Sequence, residues 1–161
     1  MKVKGGNKME WWKKAVVYQI YPMSFKDSNH DGMGDLGGIL EKVDYLKELG
    51  IDIVWMTPVY ESPMDDNGYD ISDYYKINPM FGTMEQFDEL LEALHQRGIR
   101  LIMDLVVNHT SDEHEWFKQA RKDKNSKYHD FYIWKDTPIT DQQFIFSGSV
   151  WEYNEETDEY Y

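Results

Sequence analysis

The order of apolar segments along the chain constrains its fold more than any other feature. Three short runs rich in β-branched residues, at 15–21, 51–56 and 100–107, are typical of strands buried on both faces. Between them, apolar residues recur at helical spacing over 39–49 and over 87–94. This β-α-β-α-β order predicts parallel strands with right-handed connections. Two architectures satisfy it: an open doubly wound sheet, or the beginning of a (β/α)8 barrel.

Local signals predict where the helices begin and end. Gly50 is placed to end the first helix and Gly98 to end the second. Thr83 and Gln86 have the spacing of a capping box at the start of the second helix. We therefore expect two crossover helices of ordinary length between the three strands.

The regular alternation stops after Val107. Thr110 and Glu113 have the spacing to cap a short helix over 116–120, and the segment 122–161 is polar and aromatic without a clear period. This change predicts a different structural unit in the last third of the chain.

Composition excludes several classes of function. The 161 residues include 30 acidic and 17 basic side chains, a net charge of −13, which argues against a nucleic-acid partner and against docking on an anionic membrane. The absence of cysteine excludes a disulfide scaffold and fits a reducing compartment, so we expect a cytoplasmic protein. Residues 1–10 contain no apolar stretch and predict a disordered leader rather than a signal peptide or a membrane span.

The loop after the first strand contains two overlapping motifs. Residues 32–37 match G-x-G-x-x-G, but ten residues separate them from the strand and nearby aspartates would repel a pyrophosphate, so we reject a nucleotide site. The same loop is better suited to a hard cation such as Ca²⁺, although a solvated turn remains an alternative. Its candidate ligands are the side chains of Asp27, Asn29, Asp31 and Asp35 and the backbone carbonyl of Met33.

The third apolar run leads into several polar side chains. Asn108 and His109 are predicted at the end of this strand, where barrel enzymes carry their chemistry. Asp104 is predicted within the strand, so we expect neighbouring elements to supply a partner for its carboxylate. A zinc site formed by His109, Glu113 and His114 is rejected, because the spacing is wrong and no third ligand is evident.

The loop after the second strand contains Asn67-Gly68-Tyr69-Asp70. An aromatic ring beside a carboxylate suits a sugar, since the ring can stack on a pyranose face while the carboxylate accepts hydrogen bonds from hydroxyls. By itself, however, the segment is also consistent with an ordinary turn.

Taken together, these motifs resemble bacterial α-glucosidases of the α-amylase superfamily, and most closely the oligo-1,6-glucosidase and dextran glucosidase group. The resemblance extends from about Trp11 to the last residue. It rests on W-K-K-A-V-V-Y-Q-I-Y-P from Trp12, D-S-N-H-D-G-M-G-D-L from Asp27, Y-L-K-E-L-G from Tyr45, D-D-N-G-Y-D-I-S-D-Y-Y from Asp65, F-G-T from Phe81 and D-L-V-V-N-H-T-S-D-E-H from Asp104.

The resemblance implies a (β/α)8 barrel, with residues 11–107 as its first part and 108–161 as the start of a domain inserted after the third strand. It implies that Tyr69 stacks on a terminal glucose, that Asp70 binds that sugar's distal hydroxyls, and that His109 contacts its O6 region. It further implies an aromatic at the pocket mouth in Phe146, structural roles near the site for Asp104 and Asn108, and a Ca²⁺ site in the loop 27–35.

The implied function is exo-acting, retaining hydrolysis of α-1,6-glucosidic bonds in glucose oligosaccharides by a monomeric protein. The family carries its nucleophile and its acid/base on the fourth and fifth strands, so we expect a truncated, inactive fragment with no catalytic residue of its own. Two alternatives stay open: a trehalose-6-phosphate hydrolase or other α-glucosidase of the superfamily, and a non-catalytic glucosidase-like domain such as a transporter subunit's ectodomain.

Overall fold

The computed structural model describes residues 10–137, 143–144 and 148–161, which form two compact units. One unit contains the described residues up to Glu61 together with Tyr75–Val106. The other contains Ser62–Tyr74 and the described residues from Val107 onward. The second unit thus includes a loop segment that the sequence assigned to the barrel part. The predicted leader lies almost entirely outside the described residues.

Helices and short strands alternate along the described chain. The helices are α1 (Pro22–Phe25), α2 (Leu36–Glu41), α3 (Val43–Glu48), α4 (Met84–Gln96) and α5 (Glu115–Ala120). The strands are β1 (Val17–Ile20), β2 (Ile53–Met56), β3 (Tyr60–Glu61), β4 (Asp73–Ile77), β5 (Arg100–Met103), β6 (Gln143–Phe144), β7 (Gly148–Ser149), β8 (Tyr153–Asn154) and β9 (Glu159–Tyr160).

Strands β1, β2 and β5 form one parallel sheet in that order. The register aligns Val17 with Ile53 and Ile53 with Arg100, and it continues without a slip to the last residue of each strand. The predicted parallel β-α-β-α-β arrangement is therefore confirmed. The third strand is shorter than predicted, since it ends at Met103 rather than at Val107.

The prediction that all three strands are buried on both faces is wrong. Ile20, Val54 and Met56 are fully buried, whereas Val17 and Ile102 are each about half exposed. Side chains alternate between the two faces of a strand, so the exposed residues share one face of this sheet. Helix α4 packs on β5, and fully buried side chains of the helices complete the core on the other face: Leu36, Ile39, Leu46, Leu90 and Leu94.

The first crossover consists of two helices rather than the single predicted one. The side chain of Asp35 accepts a hydrogen bond from the N–H of Gly38 and begins α2 earlier than expected. The N–H of Lys42 then bonds to the carbonyl of Ile39, a tight turn that separates α2 from α3. Gly50 adopts φ of 81°, which confirms its predicted position after the end of the crossover.

The second crossover helix follows its prediction closely. The Thr83 side chain accepts from the N–H of Gln86, and the Gln86 side chain accepts from the N–H of Thr83, so the capping box is confirmed. Gly98, at φ of 72°, follows the end of α4.

The last helix begins differently from its prediction. His114, and not Thr110, caps α5, because the Nδ1 atom of His114 accepts from the N–H of Trp116 at 3.1 Å. The Thr110 hydroxyl instead bonds to the carbonyl of Ser111. Strands β3 and β4, which pair with each other within the predicted polar loop, were missed. Beyond α5, β6 pairs with β7 and β8 pairs with β9, both antiparallel.

Candidate functional site

Asp104 follows the last residue of β5 and has a partner on the neighbouring strand. The indole N–H of Trp55, on β2, donates to its carboxylate at 2.5 Å. The hydroxyl of Tyr60 donates to its backbone carbonyl at 3.3 Å. Burial and the nearby negative charge of Asp104 raise the pKa of Tyr60. The expectation that a neighbouring element holds Asp104 is confirmed, although the residue lies just after the strand and not within it.

Asn108 and His109 do not lie at the strand end, because β5 ends at Met103. They belong to a loop of the second unit, together with the segment that contains Tyr69 and Asp70. In that loop the ring of His109 contacts the other segment: its Nε2 atom lies 2.9 Å from the carbonyl oxygen of Tyr69. Its Nδ1 atom lies 3.2 Å from the side-chain nitrogen of Asn108. Four of the residues predicted near a sugar are thus brought together.

The loop 62–70 folds around the carboxylate of Asp70. One oxygen of Asp70 accepts from the Ser62 hydroxyl, and the other accepts from the N–H of Asp65, both at 2.8 Å. Partial burial of Asp70 favours its neutral form, but these bonds and others from the loop backbone outweigh it and lower the pKa of Asp70. The carboxylate is therefore ionised at neutral pH and is already bonded within its own loop.

Ser62 is a site residue that sequence reasoning missed. Its hydroxyl donates to Asp70 and also accepts from the N–H of Met64, so it connects the start of the loop to its end. Met64, Asn67 and Gly68 have positive φ angles of 69°, 53° and 92°. The pair Asn67-Gly68 was a visible signal for such a turn, whereas nothing in the sequence distinguished Ser62 from a surface serine.

Phe146, predicted at the pocket mouth, lies outside the described residues.

The cation loop begins with an aspartate whose oxygens accept from the loop backbone. One oxygen of Asp27 accepts from the N–H groups of Asn29 and His30, and the other accepts from that of Gly32. The bond from Gly32 is the largest of the causes that lower the pKa of Asp27, and those from His30 and Asn29 add to it.

The rest of the loop is bonded in a similar way. One oxygen of Asp31 accepts from the N–H of Met33. Asp35 is nearly buried, and one of its oxygens accepts from the Ser28 hydroxyl and from the N–H of Gly38. Within the part of the chain that the structure describes, no three acidic or histidine side chains are grouped as a metal-binding set. The donor chemistry is nevertheless all oxygen, which is what a hard cation such as Ca²⁺ requires, and each carboxylate oxygen has more than one lone pair.

The glycines that mimic a nucleotide motif have packing roles. Gly32 adopts φ of 95°, and a Cβ atom on Gly34 would overlap the backbone carbonyl of Pro22. These glycines are therefore required by the tight turn and by the close approach of two backbone segments.

A cleft of about 480 Å³ lies in the first unit, beside the edge strand β1. It is lined by Tyr18, Gln19, Tyr21, Ser24, Phe25, Lys42 and Tyr45. None of the residues predicted to bind a sugar lines it, so we do not assign the candidate site there. None of the described helices is long and apolar enough to cross a membrane.

Three parallel strands joined by helices, with polar side chains on the loops that follow them, define a protein of the α/β class. The chain matches the family described as alpha amylase, catalytic domain, over residues 19–161, and it therefore belongs to the alpha-amylase family. Of the two architectures that the sequence left open, the beginning of a (β/α)8 barrel is confirmed.

The names of similar proteins describe several different activities. An oligo-1,6-glucosidase from Heyndrickxia coagulans is 63% identical over 157 residues, which are 94% of this chain and 28% of the relative. A glucan 1,6-alpha-glucosidase from Streptococcus pneumoniae is 59% identical over 152 residues, with the same two coverages. The resemblance to the α-glucosidases of this superfamily is confirmed.

Solved structures agree with this assignment. A trehalose-6-phosphate hydrolase from Bacillus licheniformis superposes with a TM-score of 0.89 at 60% identity. The match covers 94% of this chain and 28% of the hydrolase. A trehalulose synthase from Pseudomonas mesoacidophila superposes with a TM-score of 0.91 at 51% identity. The match covers 96% of this chain and 28% of the synthase. The chain spans about 28% of the length of the relatives it matches.

Proposed function

We propose that this chain supplies the glucose-binding part of a retaining, exo-acting α-glucosidase that hydrolyses α-1,6 bonds at the non-reducing ends of glucose oligosaccharides. The observation that carries the proposal is the convergence of Tyr69, Asp70 and His109 in one unit of an alpha-amylase family chain. Relatives named for α-1,6-glucosidase activity, at 59% to 63% identity, support the linkage.

Each of these residues has a distinct role in the proposal. The ring of Tyr69 stacks on the terminal glucose, because the C–H face of a pyranose is apolar. Asp70, ionised at neutral pH, carries acceptor oxygens for the sugar's distal hydroxyls. His109 reaches the O6 region, and Phe146 adds an aromatic surface at the pocket mouth. Because Nε2 of His109 is bonded to the carbonyl of Tyr69, a sugar oxygen would have to share or replace that bond.

Hydrolysis requires groups that we do not assign to this chain. A retaining glycosidase uses a nucleophilic carboxylate and an acid/base carboxyl about 5–5.5 Å apart. In the family these lie on the fourth and fifth barrel strands, whereas the described residues contain three strands of the barrel sheet. We therefore expect the 161 residues by themselves to cleave no glycosidic bond.

A second candidate function is hydrolysis of trehalose 6-phosphate. It is supported by the 60% identity and the TM-score of 0.89 to the hydrolase from Bacillus licheniformis. The two functions share the terminal glucose and differ in the group on the other side of the scissile bond.

The experiment compares kcat/KM of the full-length protein for isomaltose, maltose and trehalose 6-phosphate. The proposal expects isomaltose to be the preferred substrate, and preference for trehalose 6-phosphate would replace it with the second candidate. Burial of an aromatic side chain against an apolar face contributes about 1.5 kcal/mol. Tyr69→Ala should therefore lower kcat/KM about tenfold. Tyr75→Ala, a change at a ring that is 87% exposed, is the matched control and should leave it unchanged.

We also propose that the loop 27–35 binds Ca²⁺, with side-chain oxygens of Asp27, Asn29, Asp31 and Asp35 and the carbonyl of Met33 as ligands. The all-oxygen donor set supports this assignment. Binding to the native state alone raises stability by about 2.7 kcal/mol when the ion is present at 100 times its Kd. Ca²⁺ should raise the Tm of the full-length protein, and Asp31→Ala should abolish the increase. The site is refuted if Ca²⁺ leaves the Tm of the wild type unchanged.

For its setting, we propose a cytoplasmic, monomeric protein whose partner is a glucose oligosaccharide rather than a nucleic acid or a membrane. The absence of cysteine and the net charge of −13 support this proposal.

A further inference from the structure

The two ring nitrogens of His109 have partners of different kinds. Nε2 faces the backbone carbonyl oxygen of Tyr69 at 2.9 Å, and Nδ1 faces the side-chain amide of Asn108 at 3.2 Å. A carbonyl oxygen can only accept a hydrogen bond, so Nε2 must carry the hydrogen. In the neutral ring Nδ1 then holds the lone pair and needs a donor.

Asn108 meets that need with its amide nitrogen. The alternative orientation, with Oδ1 towards the ring, would place two acceptors against each other. The Nε2 tautomer of His109 therefore rests on two contacts: the Tyr69 carbonyl accepts from Nε2, and the Asn108 amide donates to Nδ1.

The position of Tyr69 explains why this bond matters. Tyr69 follows Asn67 and Gly68, which both have left-handed backbone angles, and it precedes Asp70, whose carboxylate is bonded within the loop. The bond from His109 fixes the Tyr69 peptide from a segment 40 residues away.

We propose that Asn108 is a positioning residue: by donating to Nδ1 it keeps the hydrogen of His109 on Nε2, and that hydrogen holds the backbone of Tyr69 and so the orientation of its ring. This inference rests on the proposed function only in one respect, that the Tyr69 ring stacks on glucose. The hydrogen-bond assignment itself holds with or without a sugar.

The test is a measurement of the His109 tautomer by two-bond ¹H–¹⁵N correlation in the full chain labelled with ¹⁵N-histidine. The His109 resonances are assigned from their absence in His109→Gln. The two-bond pattern itself distinguishes each neutral tautomer from the doubly protonated ring. In the wild type we expect the hydrogen on Nε2. In Asn108→Asp, a carboxylate that can only accept should move the hydrogen to Nδ1 or produce the doubly protonated ring.

Two further variants complete the design. Asn108→Leu is similar in size and has no donor, so a mixture of tautomers is expected. Asn125→Asp makes the same amide-to-acid change at an exposed turn and should leave the His109 spectrum as in the wild type. The ¹³C shift of the Tyr69 carbonyl should change in both Asn108 variants and stay constant in the control.

The inference is overturned if wild-type His109 carries its hydrogen on Nδ1, a result that needs no variant. It is also overturned if Asn108→Asp keeps the Nε2 tautomer and an unchanged Tyr69 carbonyl shift. If the tautomer responds as expected but the full-length protein cleaves no α-glucoside, then the proposed function fails and the positioning role of Asn108 stands.

Discussion

Protonation of His114 should weaken the second unit as the pH falls. The side chain is only 6% exposed and caps α5 through Nδ1, which accepts from the N–H of Trp116. Its ring centroid lies 4.6 Å from that of Trp116 and 5.6 Å from that of Tyr74. Burial lowers the pKa of His114 by more than the negative charges of Asp73 and Glu115 raise it. The cap also requires the neutral ring, since a protonated Nδ1 has no lone pair to offer.

The sign and size of the effect follow from this geometry. An unfolded histidine has a pKa of about 6.5, and the native pKa of His114 is lower. Between these two values the unfolded chain binds the proton and the native protein does not, so stability falls as the pH falls through that window. The full stabilisation from neutral His114 is present above about pH 6.5. Below that pH, the free energy of unfolding changes by at most about 1.4 kcal/mol per pH unit. A side-chain cap contributes about 1 kcal/mol to the free energy of unfolding. We therefore expect that free energy to fall by about this amount between about pH 7.5 and 5.5.

The assay is urea unfolding of the full chain at both pH values, together with amide hydrogen exchange of Trp116. His114→Asn keeps a good capping side chain that does not titrate, so this variant should lose the pH-dependent component. His95→Asn, at an exposed position of α4, is the matched control and should behave as the wild type does. The reasoning is refuted if His114→Asn shows the same loss on acidification as the wild type, or if the Trp116 amide exchanges freely at pH 7.5.

Three further substitutions test the first unit. A Cβ atom on Gly38 would overlap the backbone carbonyl of Lys26, so Gly38→Ala should lower the Tm far more than Gly50→Ala, which has open space and costs about 1–2 kcal/mol in backbone strain. Equal losses in the two variants would contradict the packing argument. Trp55→Phe removes the donor to Asp104 and should cost about 1.5 kcal/mol in urea unfolding, and an unchanged midpoint would show that the carboxylate does not depend on this bond.

Sequence patterns predicted the sheet well because its order depends on local periodicity, but they could not predict where its strands end. The apolar run continues through Leu105 and Val107, yet these two side chains are 78% and 71% exposed. Met103 pairs with Met56, which is the last residue of β2 and is followed by Thr57-Pro58. A strand ends where its partner ends, and this information lies outside the run itself.

The candidate site was predictable in its residue types and not in its contacts. Tyr69 and Asp70 could be named because a ring beside a carboxylate suits a sugar, whereas the sugar-binding role of His109 was implied by the family resemblance. The bond between His109 and Tyr69 joins residues 40 positions apart and depends on the backbone turn at Asn67-Gly68. His114 shows the converse case: a histidine in a metal-like pattern is a buried helix cap, because its ring packs against Trp116.

The comparisons also limit which part of the chemistry this chain can determine. Over the same 94% to 96% of the chain, its relatives are named as an oligo-1,6-glucosidase, a trehalose-6-phosphate hydrolase and a trehalulose synthase. These names describe three different activities, and one of them includes a phosphorylated sugar. A phosphate on that group requires cationic side chains, whereas the loop 62–70 contains three aspartates and no lysine or arginine. Under the proposed function, we therefore expect discrimination between phosphorylated and neutral substrates to arise outside this loop.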